Sequence, residues 1–260
     1  MPKIKYRRPP LIERAVSIGY SIEEEPYQLK LDSWTAGIKK DFSEASVQNK
    51  WEIEVAEKNG MPYLPKDKQK ITTKYQFWRS TGGEKDHCIQ VWRDRVSFNL
   101  LRTNDHPRTY EDLRVFIHEW SAKWARHFEI SSFRGATLEY VNIISTQTMP
   151  LFCKSREIPI GDILTTFRVP GPIQNLAPPY RFLFYLNHKQ GELPVRLRVK
   201  LEDTPGEVAL RLNFTASTEK PERDVGLDAM LKEVDVMHDV ILGEFEAFFT
   251  EKAKDSFGPT

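Results

Sequence analysis

The sequence predicts an α+β protein built from a tandem pair of antiparallel-sheet units, each with one long helix packed on one face. Three observations carry this. Two stretches repeat apolar residues at helical spacing over five or more turns. Short alternating segments, separated by turn residues, fall in groups of three ahead of each long helix. The order of these elements in residues 1–130 returns in residues 131–260.

The elements follow in order. Leu11 to Tyr20 alternates as a strand, with Ile12, Val16, Ile18 and Tyr20 on one face. Tyr27 to Phe42 reads as a helix with Leu31, Trp34 and Ile38 on one side. Val47 to Ala56 alternates until Asn59-Gly60, Pro62 and Pro65 end it. Thr73–Ser80, His87–Trp92 and Arg95–Arg102 form a meander, turned at Gly82-Gly83 and Arg93-Asp94. A helix then runs from Thr109, a capping residue followed by Glu111 and Asp112, to Phe128. Its stripe is Leu113, Phe116, Ile117, Trp120, Trp124 and Phe128.

The second half opens at Gly135 with a strand over Ala136–Thr148. A proline- and glycine-rich stretch follows, with room for a short helix near Gly161–Thr166. Tyr180–His188, Pro194–Leu201 and Val208–Ser217 form the second meander. The last helix is expected over Leu227–Lys252, with Leu227, Met230, Leu231, Val234, Met237, Ile241, Leu242, Phe245, Phe248 and Phe249 in its stripe. Ile12-Glu13 is echoed by Leu138-Glu139, and Tyr75-Gln76-Phe77 by Tyr180-Arg181-Phe182. The order of elements resembles the saddle of the TATA-binding protein and the helix-grip folds.

Composition narrows the functional classes. The net charge of +1 excludes a generally basic nucleic-acid chain, and two cysteines, Cys88 and Cys153, exclude a disulfide scaffold. No apolar run spans a membrane and no secretory leader opens the chain, so a cytoplasmic protein with no membrane partner is expected. No phosphate loop, dinucleotide fingerprint or nucleophile elbow occurs. His118 and His127, nine residues apart on one helix, point to different faces, which argues against a metal site. His87-Cys88 with His106, and His238-Asp239, are the nearest approaches to a dyad; each reads better as a structural pair. No catalytic residue, metal or cofactor is expected, and the balance leans away from an enzyme.

Charge placement is more informative. Arg196, Arg198 and Lys200 alternate with Val195, Leu197, Val199 and Leu201, so one strand face is cationic. Arg211 continues it on the next strand, and Arg95, Ser97 and Asn99 repeat the pattern weakly in the first half. Glu219 to Asp255 holds eleven acidic and five basic residues, a balance of −6. The expected binding residues are therefore Arg196, Arg198, Lys200 and Arg211, and the expected partner is another protein. Two alternatives stand beside this. A nucleic-acid binder would use the same strand with Lys3, Lys5, Tyr6, Arg7 and Arg8. An enzyme or small-ligand carrier would use a pocket between helix and sheet.

The opening Arg8-Pro9-Pro10-Leu11-Ile12-Glu13, the run Glu139-Tyr140-Val141-Asn142-Ile143, the central His238 of the last helix and the closing Phe257-Gly258 resemble a sporadically distributed family of uncharacterised bacterial proteins. The resemblance covers nearly the whole chain. It implies no established activity and carries over no catalytic residue. Its sporadic distribution implies an accessory part in a defence or toxin-control system.

Overall fold

Ten residues, Leu11–Tyr20, make the central strand β1 of the chain, with Val16, Ile18 and Tyr20 fully buried on one side. Ile12 drops out of that set because the register with β8 shifts between Leu11 and Glu13. Leu11, opposite Asn142 and buried, takes its place, two positions along the ladder from Arg14 opposite Tyr140. The computed structural model describes residues 9–22, 27–53, 56–58, 61–63, 69–103, 108–151, 153, 158–165, 183–204, 207–220 and 222–258.

After β1 come α1 (Tyr27–Ile38), β2 (Glu44–Ile53), a small hairpin β3 (Ala56–Lys58) and β4 (Met61–Tyr63), and the meander β5 (Gln69–Thr81), β6 (Glu84–Trp92) and β7 (Arg95–Leu101). The helix α2 (Tyr110–Phe128) follows. The second half holds β8 (Phe133–Ile144), a short α3 (Ile160–Ile163), β9 (Leu183–Gln190), β10 (Leu193–Thr204), β11 (Glu207–Ser217), α4 (Leu227–Phe248) and α5 (Glu251–Ser256). The expected strand start over Tyr180–Phe182 lies outside the described residues.

Nine strands form one antiparallel sheet in the order β2-β5-β6-β7-β1-β8-β11-β10-β9. The two meanders are thus one sheet, joined where β1 pairs with β8. The registers on the two sides correspond. Glu13 faces Leu101 and Ala15 faces Asn99; Glu139 faces Thr215 and Val141 faces Asn213. In both places the asparagine amide donates to the neighbouring glutamate, Asn99 to Glu13 at 2.6 Å and Asn213 to Glu139. Arg14 pairs with Tyr140 at the centre of this correspondence.

The long helices lie on the same side of the sheet. α2 crosses β1 and β7, α4 crosses β8 and β11, and the two helices touch. Thr109 caps α2 as its position suggests: its hydroxyl accepts from the Asp112 amide while the Asp112 carboxylate accepts from the Thr109 amide. An aromatic cluster joins α1 to α2. Trp34 meets Trp124 edge-on at 5.1 Å, Trp124 lies 3.9 Å from Phe128, and Phe42 meets Trp120 edge-on at 5.0 Å. One apolar core runs through both halves.

Three expectations need correction. The first helix ends at Ile38, not Phe42; Phe42 is nonetheless buried, its amide returning to the Ile38 carbonyl. The strand expected over Val47–Ala56 begins at Glu44 and ends at Ile53, because it pairs with β5, which reaches from Gln69 to Thr81. The last helix breaks at Phe249. Thr250 caps a new helix by accepting from the Ala253 amide, and Phe249 leaves the helix to bridge Leu164. The break lets Phe245, Phe249 and Phe257 pack together.

At Gly135 the backbone decides local structure. It has φ of +114°, and a β-carbon there would stand 2.8 Å from the Thr218 carbonyl oxygen. It lets β8 start hard against the end of β11.

Candidate functional site

The strand period places Arg196, Arg198 and Lys200 on the sheet face away from α2 and α4, while Val195, Leu197, Val199 and Leu201 enter the core. Arg211 lies directly across from Lys200. The four expected binding residues therefore form one patch. Their polar contacts are sparse. Arg196 Nε donates to Asn187 Oδ1 at 2.9 Å, and Arg211 Nε to Asn213 Oδ1 at 3.3 Å. Arg198 lies over the Tyr185 ring at 6.0 Å. Lys200 pairs with Glu202 at 2.9 Å. Among the described residues none of the three arginines meets a carboxylate. Lys200 and Arg211 face each other as like charges, an arrangement that costs stability.

The pattern repeated by Arg95, Ser97 and Asn99 needs correction, since Ser97 and Asn99 are buried at the centre of the sheet. Ala15, Cys88, Ser97, Asn99, Val141 and Asn213 have the same parity and are buried. Their polar atoms bond to one another: Ser97 donates to Asn99 at 2.9 Å, and the two asparagines hold Glu13 and Glu139. Arg95 belongs to a separate rim group with Asp94 and Glu219. The exposed cationic part is the β9–β10–β11 end. On the helix side, α4 carries Asp228, Glu233, Asp235, Asp239, Glu244 and Glu246, so the acidic balance lies across the sheet from the basic patch.

A second polar group sits at the centre of the helix side. The Tyr140 hydroxyl and His238 Nδ1 are hydrogen-bonded at 2.6 Å, and the His238 ring stacks on Tyr110 at 3.7 Å, only 8° from parallel. The Tyr110 hydroxyl donates to Asp235 at 2.7 Å, and Arg114 Nε donates to the same carboxylate at 3.1 Å. Arg14 lies over the Tyr140 ring at 5.4 Å and donates to the Arg108 carbonyl. Burial lowers the Arg14 guanidinium pKa and raises the Tyr140 phenol, so Tyr140 is neutral and serves as a hydrogen-bonding group. Asn142, wholly buried, has no hydrogen-bond partner for either amide atom among the described residues. This group locks α2 and α4 onto β1 and β8. His238 thus meets Tyr140, across 98 residues of sequence. Tyr140→Phe is expected to cost about 1–2 kcal/mol by stranding the imidazole nitrogen. An unchanged urea midpoint for that variant would show the bond to be energetically idle.

The other sequence candidates disperse. His87 and Cys88 point to opposite faces of β6, His87 toward Phe116 and Cys88 toward Asn99. Burial pushes the Cys88 thiol up to about 12. His106 and the basic arm Lys3, Lys5, Tyr6, Arg7 and Arg8 lie outside the described residues. His118 is exposed, while His127 Nε2 meets the Lys30 carbonyl at 2.7 Å. Among the described residues no three His, Cys, Asp or Glu converge as a metal requires. A pocket of about 580 Å³ lies between α1 and α2, lined by Trp34, Ile38, Trp120, Lys123 and His127. It sits between two helices, whereas the expected pocket lies between helix and sheet.

His87 lies against the fully buried Asp86, which also pairs with Arg108. Burial lowers the His87 pKa, outweighing the pull of Asp86. Burial works the other way on Asp86, but the neighbouring His87, Thr81 and Arg108 outweigh it and lower the carboxyl pKa. Both shifts have the same sign for stability. A histidine lowered in the fold is protonated first in the unfolded chain, so stability is lost as pH falls below its ordinary value of 6.5. The carboxylate contribution is lost only at more acid pH. The denaturant midpoint is expected to fall between about pH 7.5 and about pH 5.5, and His87→Gln to flatten that fall. The same slope in both proteins would place the titration elsewhere.

The fold and these sites define an α+β protein with one large antiparallel sheet, helices on one side and a basic end on the other. Among the described residues no helix is long and apolar enough to cross a membrane. No protein-family model and no curated protein matches the chain.

Proposed function

We propose that the chain is a non-enzymatic binding protein that takes an acidic protein partner on the β9–β10–β11 end of its helix-free face. The observation that supports this most is the Lys200–Arg211 like-charge pair, flanked by Arg196 and Arg198; among the described residues none of the three arginines meets a carboxylate, and only Lys200 is offset, by Glu202. Such a cluster is destabilising in the free protein and relieved by an anion laid over it. The acidic α4 on the opposite side orients an approaching acidic surface toward this end. A tandem origin of the two halves is part of the same reading. It is supported by the mirrored strand order and by the matching Glu13–Asn99 and Glu139–Asn213 pairs.

The test is recovery of partners from the native host by wild type and by Arg196→Glu/Arg198→Glu. Wild type is expected to retain an acidic protein that the variant loses. Equal recovery of every partner would return the arginines to a solvated sheet face. Recovery of nucleic acid by wild type, lost with the variant, would replace the protein partner with a phosphate backbone.

A further inference from the structure

Four of the nine exposed large apolar side chains among the described residues are consecutive: Leu183, Phe184, Tyr185 and Leu186, each 40–50% exposed. They lie on β9, which is an edge of the nine-stranded sheet. Exposed apolar edges invite another strand, and proteins ordinarily guard them with charge, proline or bulges. The opposite edge, β2, shows Glu44, Ser46, Gln48 and Asn49, with Val47 as its only exposed large apolar group among the described side chains. β9 carries no such guard over Leu183–Leu186, and its register with β10 has no shift.

The backbone of β9 is set up for pairing. Gly191 and Glu192 form a two-residue turn that closes on the Gln190–Leu193 pair. Hydrogen-bonded pairs alternate along an antiparallel ladder, so His188, Leu186 and Phe184 bond to Val195, Leu197 and Val199. Leu183, Tyr185 and Asn187 therefore turn their N–H and C=O groups outward. Their side chains fall on the helix-free face, beside Lys200, Arg198 and Arg196 in turn. Two of these cations already lean toward the edge, Arg196 to the Asn187 side chain and Arg198 over the Tyr185 ring. A strand added beside β9 would run about 9–10 Å from β10, two strand spacings, within reach of extended arginines. Carboxylates on alternate residues of that strand would meet them.

Resting on the binding role proposed above, we infer that β9 is an acceptor edge that takes an extended, acidic peptide segment of the partner as a tenth strand. Main-chain bonds to Leu183, Tyr185 and Asn187 would supply the pairing, and Arg196, Arg198 and Lys200 would select for acidic side chains.

The test uses the full chain and a short peptide of alternating glutamate and valine, with a lysine–valine peptide as control. Wild type is expected to bind the acidic peptide at least about tenfold more tightly than the basic one. Tyr185→Pro removes an outward N–H and spares the β9–β10 ladder, so it is expected to weaken binding by about tenfold or more, while Tyr185→Thr, which keeps the donor, loses less. In wild type, hydrogen exchange at the Tyr185 and Asn187 amides is expected to slow when the peptide is added. That measurement stands even if the proline variant fails to fold. Absence of binding, or equal binding of both peptides, overturns the inference. Binding lost with Arg196→Glu/Arg198→Glu but unchanged with Tyr185→Pro, with no slowing of exchange, overturns strand addition and leaves the charged-face reading standing. Slowed exchange that needs only a higher concentration of the protein itself would make a second copy the occupant and overturn the acidic peptide.

Discussion

Replacing Trp120 or Phe245 by aspartate is expected to leave no folded protein. Trp120 is 3% exposed and meets Trp34 and Phe42 edge-on. Phe245, 7% exposed, packs on Phe214, Phe249 and Phe257. Deleting a large aromatic from a packed site costs about 3–5 kcal/mol, and an unpaired buried carboxylate adds several more. The sum is comparable to the roughly 5–15 kcal/mol that holds an ordinary domain together. Val115→Asp and Val236→Asp are the controls, since both valines lie on the same two helices and are 59% exposed. The controls are expected to purify as folded protein with a near wild-type melting temperature. Soluble Trp120→Asp and Phe245→Asp with unchanged melting would contradict the packing of α2 and α4 described above.

The second large effect falls on binding and spares the fold. Arg196→Glu/Arg198→Glu is expected to weaken an acidic partner by roughly 100-fold, because two attractive contacts become repulsive and like-charge juxtaposition costs several kcal/mol. Stability is expected to stay within about 1 kcal/mol, since Arg196 is exposed and, among the described residues, neither arginine holds a salt bridge. The variant also breaks the Arg196–Asn187 contact, which is solvent-accessible and worth little. Circular dichroism and thermal melting check the fold, and titration calorimetry checks the partner. A variant that binds normally, or one that unfolds, would each contradict this division between binding and stability.

Local pattern made much of the fold legible. Period two marks Leu11–Tyr20, and the stripe from Leu113 to Phe128 marks α2 together with its Thr109 cap. The alternation of Arg196, Arg198 and Lys200 with Val195, Leu197 and Val199 placed the basic patch on one face before any tertiary information. Non-local choices were not legible. The end of α4 depends on Phe249 reaching Leu164, a contact made with a segment 85 residues earlier. The repeated order of elements suggests two sheets joined edge to edge over a shared core, but that β1 and β8 make the joint no periodicity encodes. The Tyr140–His238 bond left one readable sign. Arg14, Tyr140 and Asn142 share the parity of Val16, Leu138 and Ile144, and a polar group on a buried parity needs partners. The sign names the need without naming the partner. The exposed run on β9 was hidden because apolar residues in a strand read as core until the sheet order makes that strand an edge.

The claim that the β9–β10–β11 end is a charge-reading surface is tested most directly by the salt dependence of partner affinity in wild type and in Arg196→Glu/Arg198→Glu. Calorimetric titrations would run from about 0.05 M to about 0.5 M salt, across which the Debye length shrinks to a few ångströms. Wild-type affinity is expected to fall steeply over that range, and the variant to bind weakly throughout with little dependence on salt. Equal affinities and equal salt dependence for the two proteins would contradict the claim.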